Sequence, residues 1–203
     1  FWMGCAPGDR WCGDDEKPRH QVHLDAFYID RTEVTVGQYR GCVSAGRCTE
    51  PRTDSHCNWS ESGREQHPIN GVSWHQANAY CSWEGKRLPT KAQWWRAALG
   101  DGDDPYPWGT DSQTLRMRAN FEATGTREVE YSPAGVSEFG VFEMAGNARE
   151  WLRPEQEETM QAPSVGGSWQ DPEYTFSTEW REALPLGFAN ETTGFRCIRH
   201  VEP

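Results

Sequence analysis

The last hundred residues of this 203-residue chain set a strict limit on its fold. From residue 100 onward, Gly, Pro, Asp, Ser and Thr recur between isolated aromatic residues. A regular β-sandwich or a doubly wound sheet does not contain so much irregular chain, so we exclude both. The chain nevertheless has 11 Trp and 12% aromatic residues, far more than a disordered chain carries. Because large rings bury as much surface as many aliphatic side chains, we predict a loop-rich folded domain with an aromatic core.

Helix signals lie in the first half of the chain. Three segments there begin with an S/T-x-x-Q capping box, in which the first side chain and the Gln side chain each bond the other residue's backbone N–H. The second and third of these segments end at Gly85 and Gly100, residues typical of the position after a helix. We predict helices over residues 36–45, 74–84 and 91–99.

Strand signals are shorter. Residues 21–30 alternate partly and contain β-forming residues, so we interpret them as one strand or one arm of a hairpin. Residues 136–144 and 195–201 are weaker strand candidates. With no repeat and no linker, the chain is predicted to be one α+β domain over residues 1–203.

Charge and composition exclude two classes of partner. The formal net charge is −11, and such a surface repels phosphate backbones, so we expect no nucleic-acid partner. No apolar run is long enough to span a membrane. The chain starts at Phe1 without Met, which suggests a mature or trimmed sequence.

Seven cysteines show no zinc-site spacing. The short separations from Cys5 to Cys12 and from Cys42 to Cys48 suit local disulfides formed in an oxidising compartment. The alternative is that the cysteines are buried free thiols of a cytosolic protein. Since the count is odd, at least one thiol is left unpaired.

A set of ordered motifs resembles one family over essentially the whole chain. The motifs are "FWMG", "EVTVGQY", "HPINGVSW", "AYCSWEGKRLPTKAQWWRAA", "YPWG", "AN", "FGVFEMAGNAREW", "GGSW" and "GFRC". They are similar to those of the formylglycine-generating enzyme family, also called the sulfatase-modifying factor domain. The resemblance implies a variant of the C-type-lectin-like fold with long loops, a small sheet and bound calcium. That expectation agrees with the loop-rich α+β domain predicted from composition.

The resemblance also implies where copper would bind, and this chain departs from the family there. The family's catalysts oxidise a substrate cysteine with oxygen and Cu(I), which is held by two cysteines after the Gly-Gly-Ser-aromatic turn. Thiolates suit that metal because both are soft. The matching positions here are Asp171 and Phe176, and residues 166–193 contain no cysteine. We therefore expect neither copper nor formylglycine generation.

Two further features follow from the resemblance. The family pairs the cysteines of the "AYCSW" and "GFRC" motifs, which implies a Cys81–Cys197 disulfide. It also has a calcium site before the Glu-Trp of "GNxxEW". The matching ligands are the side chains of Glu143 and Glu150 and the carbonyls of Gly146 and Ala148, a hard-oxygen set that suits Ca²⁺. The alternative is that Glu150 caps a helix or pairs with an arginine.

A second calcium site of the family corresponds to Asn120 and the carbonyl of Phe121. Residues 121–132 contain no Asp to complete it, so the oxygen set is thinner there.

Other catalytic arrangements are less well supported by the sequence. "GGSW" is not a G-x-S-x-G motif, so Ser168 is interpreted as a turn residue and not as a nucleophile. His20, His23 and Asp25 have the residue types of a two-His, one-carboxylate iron site. However, residues three apart on a strand point to opposite faces.

We therefore predict a non-catalytic, extracytoplasmic domain that binds a protein, peptide or glycan through the loop surface 169–193. An enzyme on the same scaffold, such as a metal-dependent oxidase of a peptide or protein side chain, is the alternative. The predicted ligand-binding residues are Trp169, Gln170, Asp171, Tyr174, Phe176, Trp180 and Arg181.

Overall fold

The helices begin where the capping boxes predict. A computed structural model describes residues 1–4, 17–100, 104–156, 158–176 and 181–201. All three predicted helices are confirmed, each with both hydrogen bonds of its capping box in place. In the first box, Thr35 N donates to Gln38 Oε1 over 2.8 Å and Gln38 N donates to Thr35 Oγ1 over 3.2 Å. The helices are α1 (Val36–Ser44), α2 (Trp74–Trp83), α3 (Lys91–Leu99) and the short α4 (Leu115–Arg118).

The strands are short and form separate sheets. They are β1 (Trp2–Met3), β2 (His20–Gln21), β3 (Phe27–Ile29), β4 (Arg149–Trp151), β5 (Gln161–Val165), β6 (Arg181–Pro185), β7 (Thr193–Gly194) and β8 (Ile198–His200). Strands β1 and β2 pair, β3 pairs with β8, and the largest sheet has the order β6-β5-β4-β7. In that sheet β4 and β7 are parallel, while β4–β5 and β5–β6 are antiparallel. The few helices, mixed sheets and long loops confirm the predicted α+β, C-type-lectin-like class.

Two strand predictions were wrong. Residues 21–30 do not form one strand, because β2 and β3 belong to different sheets. Residues 136–144 contain no strand. A tight turn replaces it, with Gly140 N donating to the Ser137 carbonyl and Ser137 N to the Val141 carbonyl. The prediction over 195–201 holds only for β8.

The main core is aromatic, as the composition predicts. Tyr39 of α1 and Tyr80 of α2 stack with ring centroids 5.6 Å apart, and Trp59 and Phe195 meet the ring of Tyr39 edge-on. A second cluster packs α3 through Trp94 and Trp95 against residues that flank the large sheet. The two clusters fix the positions of the loops that follow the sheet strands.

Disulfides connect distant parts of this core. Cys42 and Cys48 form a local disulfide, and Cys81 and Cys197 join α2 to the segment before β8, the pairing that the family resemblance implied. This disulfide closes a loop of 116 residues and so lowers the conformational entropy of the unfolded chain. In the chain-entropy model, that stabilises the folded state by about 4.7 kcal/mol. Cys57 is a buried free thiol, and burial raises its pKa to about 11. The predicted Cys5–Cys12 disulfide lies outside the described residues.

None of the helices in the described ranges is long and apolar enough to cross a membrane.

The capping box of α2 gives a direct stability test. Replacing Ser73 by Ala removes the acceptor for Gln76 N, so we expect unfolding to become easier by about 1 kcal/mol, or about 2–4 °C in melting temperature. Ser82→Ala in the same helix is the matched control, because its exposed hydroxyl only bonds back to the Asn78 carbonyl. Equal losses in the two variants, measured by urea unfolding, would contradict the role of the box.

Candidate functional site

The Gly-Gly-Ser-Trp turn leaves the large sheet through two residues with left-handed backbone. Gly166 and Gly167 directly follow β5 and have φ of 88° and 68°. A Cβ at Gly166 would lie 3.1 Å from the Trp94 ring, so a side chain there is disfavoured by both backbone and space. The turn therefore brings the next residues back over the same sheet.

Asp171 lies over this sheet in a network of charged hydrogen bonds. Arg149 of β4 donates from Nε to Asp171 Oδ2 over 2.7 Å and from Nη2 to Oδ1 over 2.5 Å. Ser168 Oγ donates to Oδ2 over 2.7 Å. The third nitrogen of Arg149, Nη1, donates to Glu182 Oε2 of β6 over 2.6 Å. Asp171 is buried and both its oxygens accept hydrogen bonds. The hydroxyl of Ser168 is used within the turn, where it donates to Asp171.

This bidentate pair joins two positions at which the chain departs from the family pattern. By the resemblance of the motifs, Arg149 stands where the family usually has an aromatic residue, and Asp171 stands where it usually has the first copper-binding cysteine. The two replacements contact each other, so each explains the other: a carboxylate here needs a cation, and the guanidinium provides it.

Trp169 packs under the predicted surface. It is only 5% exposed, and its ring centroid lies 5.3 Å from that of the exposed His56. Its Nε1 donates to the Glu191 carbonyl over 3.3 Å, and its own carbonyl accepts from Ala123 N over 2.7 Å. Gln170, the next residue, is exposed. Trp169 thus supports the surface from below, while Gln170 is accessible on it and His56 is accessible beside it.

The remaining predicted binding residues are on short elements that follow the turn. Tyr174 and Phe176 belong to a 3₁₀ helix over Glu173–Phe176, and Arg181 is the first residue of β6. Glu173 is exposed, and its Oε1 accepts from the Tyr106 hydroxyl over 3.2 Å. Trp180 lies outside the described residues. Whether these residues bind a ligand stays a prediction.

Glu150, a predicted calcium ligand, forms a buried ion pair with Arg196. Arg196 Nε donates to Glu150 Oε2 over 2.8 Å, Nη2 donates to Oε1 over 2.7 Å, and Trp94 Nε1 donates to Oε2 over 2.7 Å. Both charged side chains are almost wholly buried. The arginine partner that the sequence left open as an alternative is therefore present.

Two more carboxylates face this pair. Glu33 is fully buried and accepts from Asn147 Nδ2 over 2.7 Å and from Ala148 N over 2.9 Å. Burial, reinforced by the charges of Glu143 and Glu150, raises the pKa of Glu33 well above its usual range. Burial is also the main cause that raises the pKa of Glu143 to about 7. The cluster thus has more carboxylate than cation.

Glu143 is held less completely than its neighbours. Its Oε2 accepts from Glu130 N over 3.2 Å, but its Oε1 is buried and has no hydrogen-bond partner in the described part of the chain. Glu143 also has a left-handed backbone, with φ of 51°. The predicted carbonyl ligands of Gly146 and Ala148 come from the segment between Glu143 and Glu150.

At the second predicted calcium position, Asn120 is tied to the same segment. Its Nδ2 donates to the Gly125 carbonyl and to Asn147 Oδ1, both over 3.1 Å, and its carbonyl accepts from Asn147 N. Phe121 is buried in a small apolar cluster with Leu115. Asn147 thus links both predicted calcium positions to Glu33, although neither Asn147 nor Glu33 was predicted as a site residue.

The residue types proposed for iron are not brought together. His23 Nε2 lies 3.8 Å from Asp25 Oδ1 with both side chains exposed to solvent, and His20 Nδ1 contacts the Pro18 carbonyl. Throughout the described ranges, no group of three or more His, Cys, Asp or Glu side chains is placed to hold a metal ion.

Comparison with known proteins supports the resemblance that the sequence motifs show. The model of the FGE-sulfatase family, described as a sulfatase-modifying factor enzyme 1-like domain, matches residues 1–201. The chain is 29% identical to the serine/threonine-protein kinase pkn1 of Chlamydia caviae, over 100% of this chain and 37% of that protein. It is 32% identical to the formylglycine-generating enzyme of Streptomyces coelicolor, over 74% of this chain and 65% of that protein. The chain therefore spans less than two thirds of either relative.

A solved structure shows the same fold. PvdO from Pseudomonas aeruginosa superimposes with a TM-score of 0.83, covering 99% of this chain and 91% of that one at 22% identity. Identity at that level shows the fold alone.

The buried ion pair gives the sharpest prediction from this region. Replacing Arg196 by Met leaves Glu150 buried without its cation, beside two further carboxylates, so we expect a loss of about 3–5 kcal/mol in the free energy of unfolding. The matched control is Arg116→Met, which breaks the exposed pair with Glu122 and should cost about 0–1 kcal/mol. Urea unfolding measures both, and similar losses would show that burial adds nothing to the pair.

Proposed function

Because this chain belongs to the FGE-sulfatase family and yet has Asp171 and Phe176 at the copper positions, we propose that it is a non-catalytic binding domain. Its ligand is a protein, peptide or glycan, and the ligand surface is formed by residues 169–193. The observation that carries the proposal is the Arg149–Asp171 pair, at the position that the motif resemblance assigns to the family's first copper ligand.

The donor set at this position does not suit Cu(I). That ion prefers soft thiolates, whereas a carboxylate is a hard ligand. Both oxygens of Asp171 already accept hydrogen bonds from Arg149 and Ser168, and Phe176 has no metal-binding atom. We therefore assign no step of chemistry to copper here.

The proposed surface has the features of a loop-built recognition site. Gln170 is exposed on the turn, Glu173 is exposed on the 3₁₀ helix that follows it, and His56 is exposed on a neighbouring loop. Sites of this kind are common because loops vary while the scaffold stays rigid. The surplus of acidic residues in the chain disfavours a nucleic-acid ligand.

The alternative is a metal-dependent oxidase that modifies a peptide or protein side chain without the two-cysteine site. The relative from Streptomyces coelicolor, which is named as a formylglycine-generating enzyme, supports it. The two functions differ in their need for a redox metal, since a binding domain requires calcium at most.

A binding screen with a metal analysis separates these functions. We expect purified protein to retain members of a random-peptide display library or a glycan array and to contain neither copper nor iron in stoichiometric amount. The variant Gln170→Ala/Glu173→Ala should weaken retention about tenfold or more, since both side chains are exposed beside the turn. Gln21→Ala/Glu84→Ala, with exposed residues of the same types outside 169–193, is the matched control.

Three outcomes oppose the proposal. No retained peptide or glycan, or equal retention by both double variants, removes the proposed surface. Stoichiometric copper or iron, together with oxygen consumption on a cysteine-containing peptide, establishes the oxidase instead.

We further propose that calcium binds at Glu143 and the carbonyls of Gly146 and Ala148. The buried, unpartnered Oε1 of Glu143 and the surplus of carboxylates around one guanidinium support a cation there. Glu150 contributes its negative charge to this proposed site, but its carboxylate is already paired with Arg196. The second site, at Asn120 and Phe121, is proposed on the resemblance alone.

Chelation tests the calcium proposal. We expect EDTA to lower the melting temperature and added Ca²⁺ to restore it, because ion at 100 times its Kd stabilises the folded state by about 2.7 kcal/mol. Glu143→Gln should abolish the response. A melting temperature that EDTA leaves unchanged contradicts calcium binding.

The disulfides support an extracytoplasmic location, since such bonds persist in oxidising compartments. We propose a secreted, periplasmic or surface-anchored setting on that ground.

A further inference from the structure

Asn70, within the "HPINGVSW" motif, lies under the proposed ligand surface and joins its loop over 189–191 to the neighbouring loop over 52–57. It is fully buried. Its Nδ2 donates to the carbonyl of His56 over 2.9 Å and to the carbonyl of Glu191 over 2.6 Å. Its Oδ1 accepts from Asn58 N over 2.8 Å. Both N–H donors of its side chain and its side-chain oxygen are therefore bonded to neighbouring loops.

The two carbonyls that Asn70 holds belong to the residues that contact Trp169. The His56 ring packs on the Trp169 ring, and the Glu191 carbonyl accepts from Trp169 Nε1. One side-chain amide therefore sets the positions of both neighbours of Trp169.

His56 needs this restraint because its backbone is unfavourable. Its φ is 67°, in the left-handed region that non-glycine residues rarely adopt. Such a conformation persists only where the surroundings fix it, and it is frequent at ligand sites. The hydrogen bond from Asn70 to the His56 carbonyl provides that restraint.

Gly71 reinforces the same connection through its backbone. Its N–H donates to the Asn190 carbonyl over 2.9 Å, and its carbonyl accepts from Arg52 N over 3.0 Å. A Cβ at this position would lie 2.8 Å from Cys57 Sγ, so a side chain does not fit. Asn70 and Gly71 thus connect the loop over 52–57 with the loop over 189–191.

We propose that Asn70 is a positioning residue of the ligand surface. Its amide fixes the separation of the His56 and Glu191 walls on either side of Trp169 before a ligand arrives. The inference rests on the proposed function for its importance to binding, but the positioning itself is measurable in the protein alone.

The test compares Asn70→Ser with Asn58→Ala by NMR and amide hydrogen exchange. Serine is too short to reach both carbonyls. We expect the Trp169 indole N–H resonance, assigned with Trp169→Phe, to shift, and exchange at Cys57 and Thr193 to become about tenfold faster or more. Asn58→Ala is the matched control: it removes a buried amide that bonds the Pro68 carbonyl and Thr126, yet keeps the backbone N–H that donates to Asn70 Oδ1.

The outcomes separate positioning from general stability. A purely structural role lowers the melting temperature of both variants and leaves the indole resonance and local exchange alike in the two, which overturns the proposal. If Asn70→Ser does not fold, Asn70→Asp keeps the acceptor towards Asn58, removes the donors and is read by the same two signals.

Binding is then measured with a peptide or glycan retained in the screen described above. Asn70→Ser should weaken its affinity about tenfold, whereas Asn58→Ala should leave it unchanged. Unchanged affinity in Asn70→Ser contradicts the inference while the proposed function stands. A screen that retains nothing ends the proposed function, and the indole and exchange signals still decide whether Asn70 positions the two walls.

Discussion

The buried guanidinium of Arg196 connects parts of the chain that no local interaction brings together. It pairs with Glu150 of the large sheet and also donates to the carbonyl of Phe142. Its Nη1 reaches the carbonyl of Asp30, next to β3. A buried cation must meet acceptors on all sides, so its contacts fix where the chain segments around it lie. The strands in this fold are too short to provide that order by themselves.

A second guanidinium, at the surface of the sheet, attaches a loop to the strands in the same way. Arg149 and Asp171 join β4 to the loop after β5, and Glu182 extends the connection to β6. Two cysteines that share a metal would connect neighbouring parts of that loop in a similar way. A salt bridge with bidentate geometry keeps the loop attached, but it offers hydrogen bonds in place of redox chemistry. Retention of the fold is therefore compatible with a change of function.

Local features of the sequence predicted their structures well. A capping box involves only two residues that lie three apart, so Thr35, Ser73 and Thr90, each with its Gln, mark where the helices begin. The β4–β5–β6 region was not predicted, since its pairing depends on partners up to tens of residues away, and Pro163 and Ser164 give β5 no clear alternation.

The same limit applies to the candidate site. The sequence placed Asp171 at a position of interest, but only the fold shows that it meets Arg149. Glu33, Asn70 and Asn147 have no local signal that separates a buried polar residue from an exposed one.

The geometry around Asn70 has a chemical consequence for the lifetime of the protein. An Asn-Gly sequence is prone to deamidation: the glycine nitrogen attacks the carbonyl carbon of the preceding side-chain amide, ammonia leaves as the succinimide ring closes, and water then hydrolyses the ring. Here the Gly71 nitrogen donates to the Asn190 carbonyl, and the Asn70 side chain is held by three hydrogen bonds. The ring cannot close while those bonds are intact. Deamidation of Asn70 therefore requires the loops over 52–57 and 189–191 to open first, so its rate reports how often these loops open.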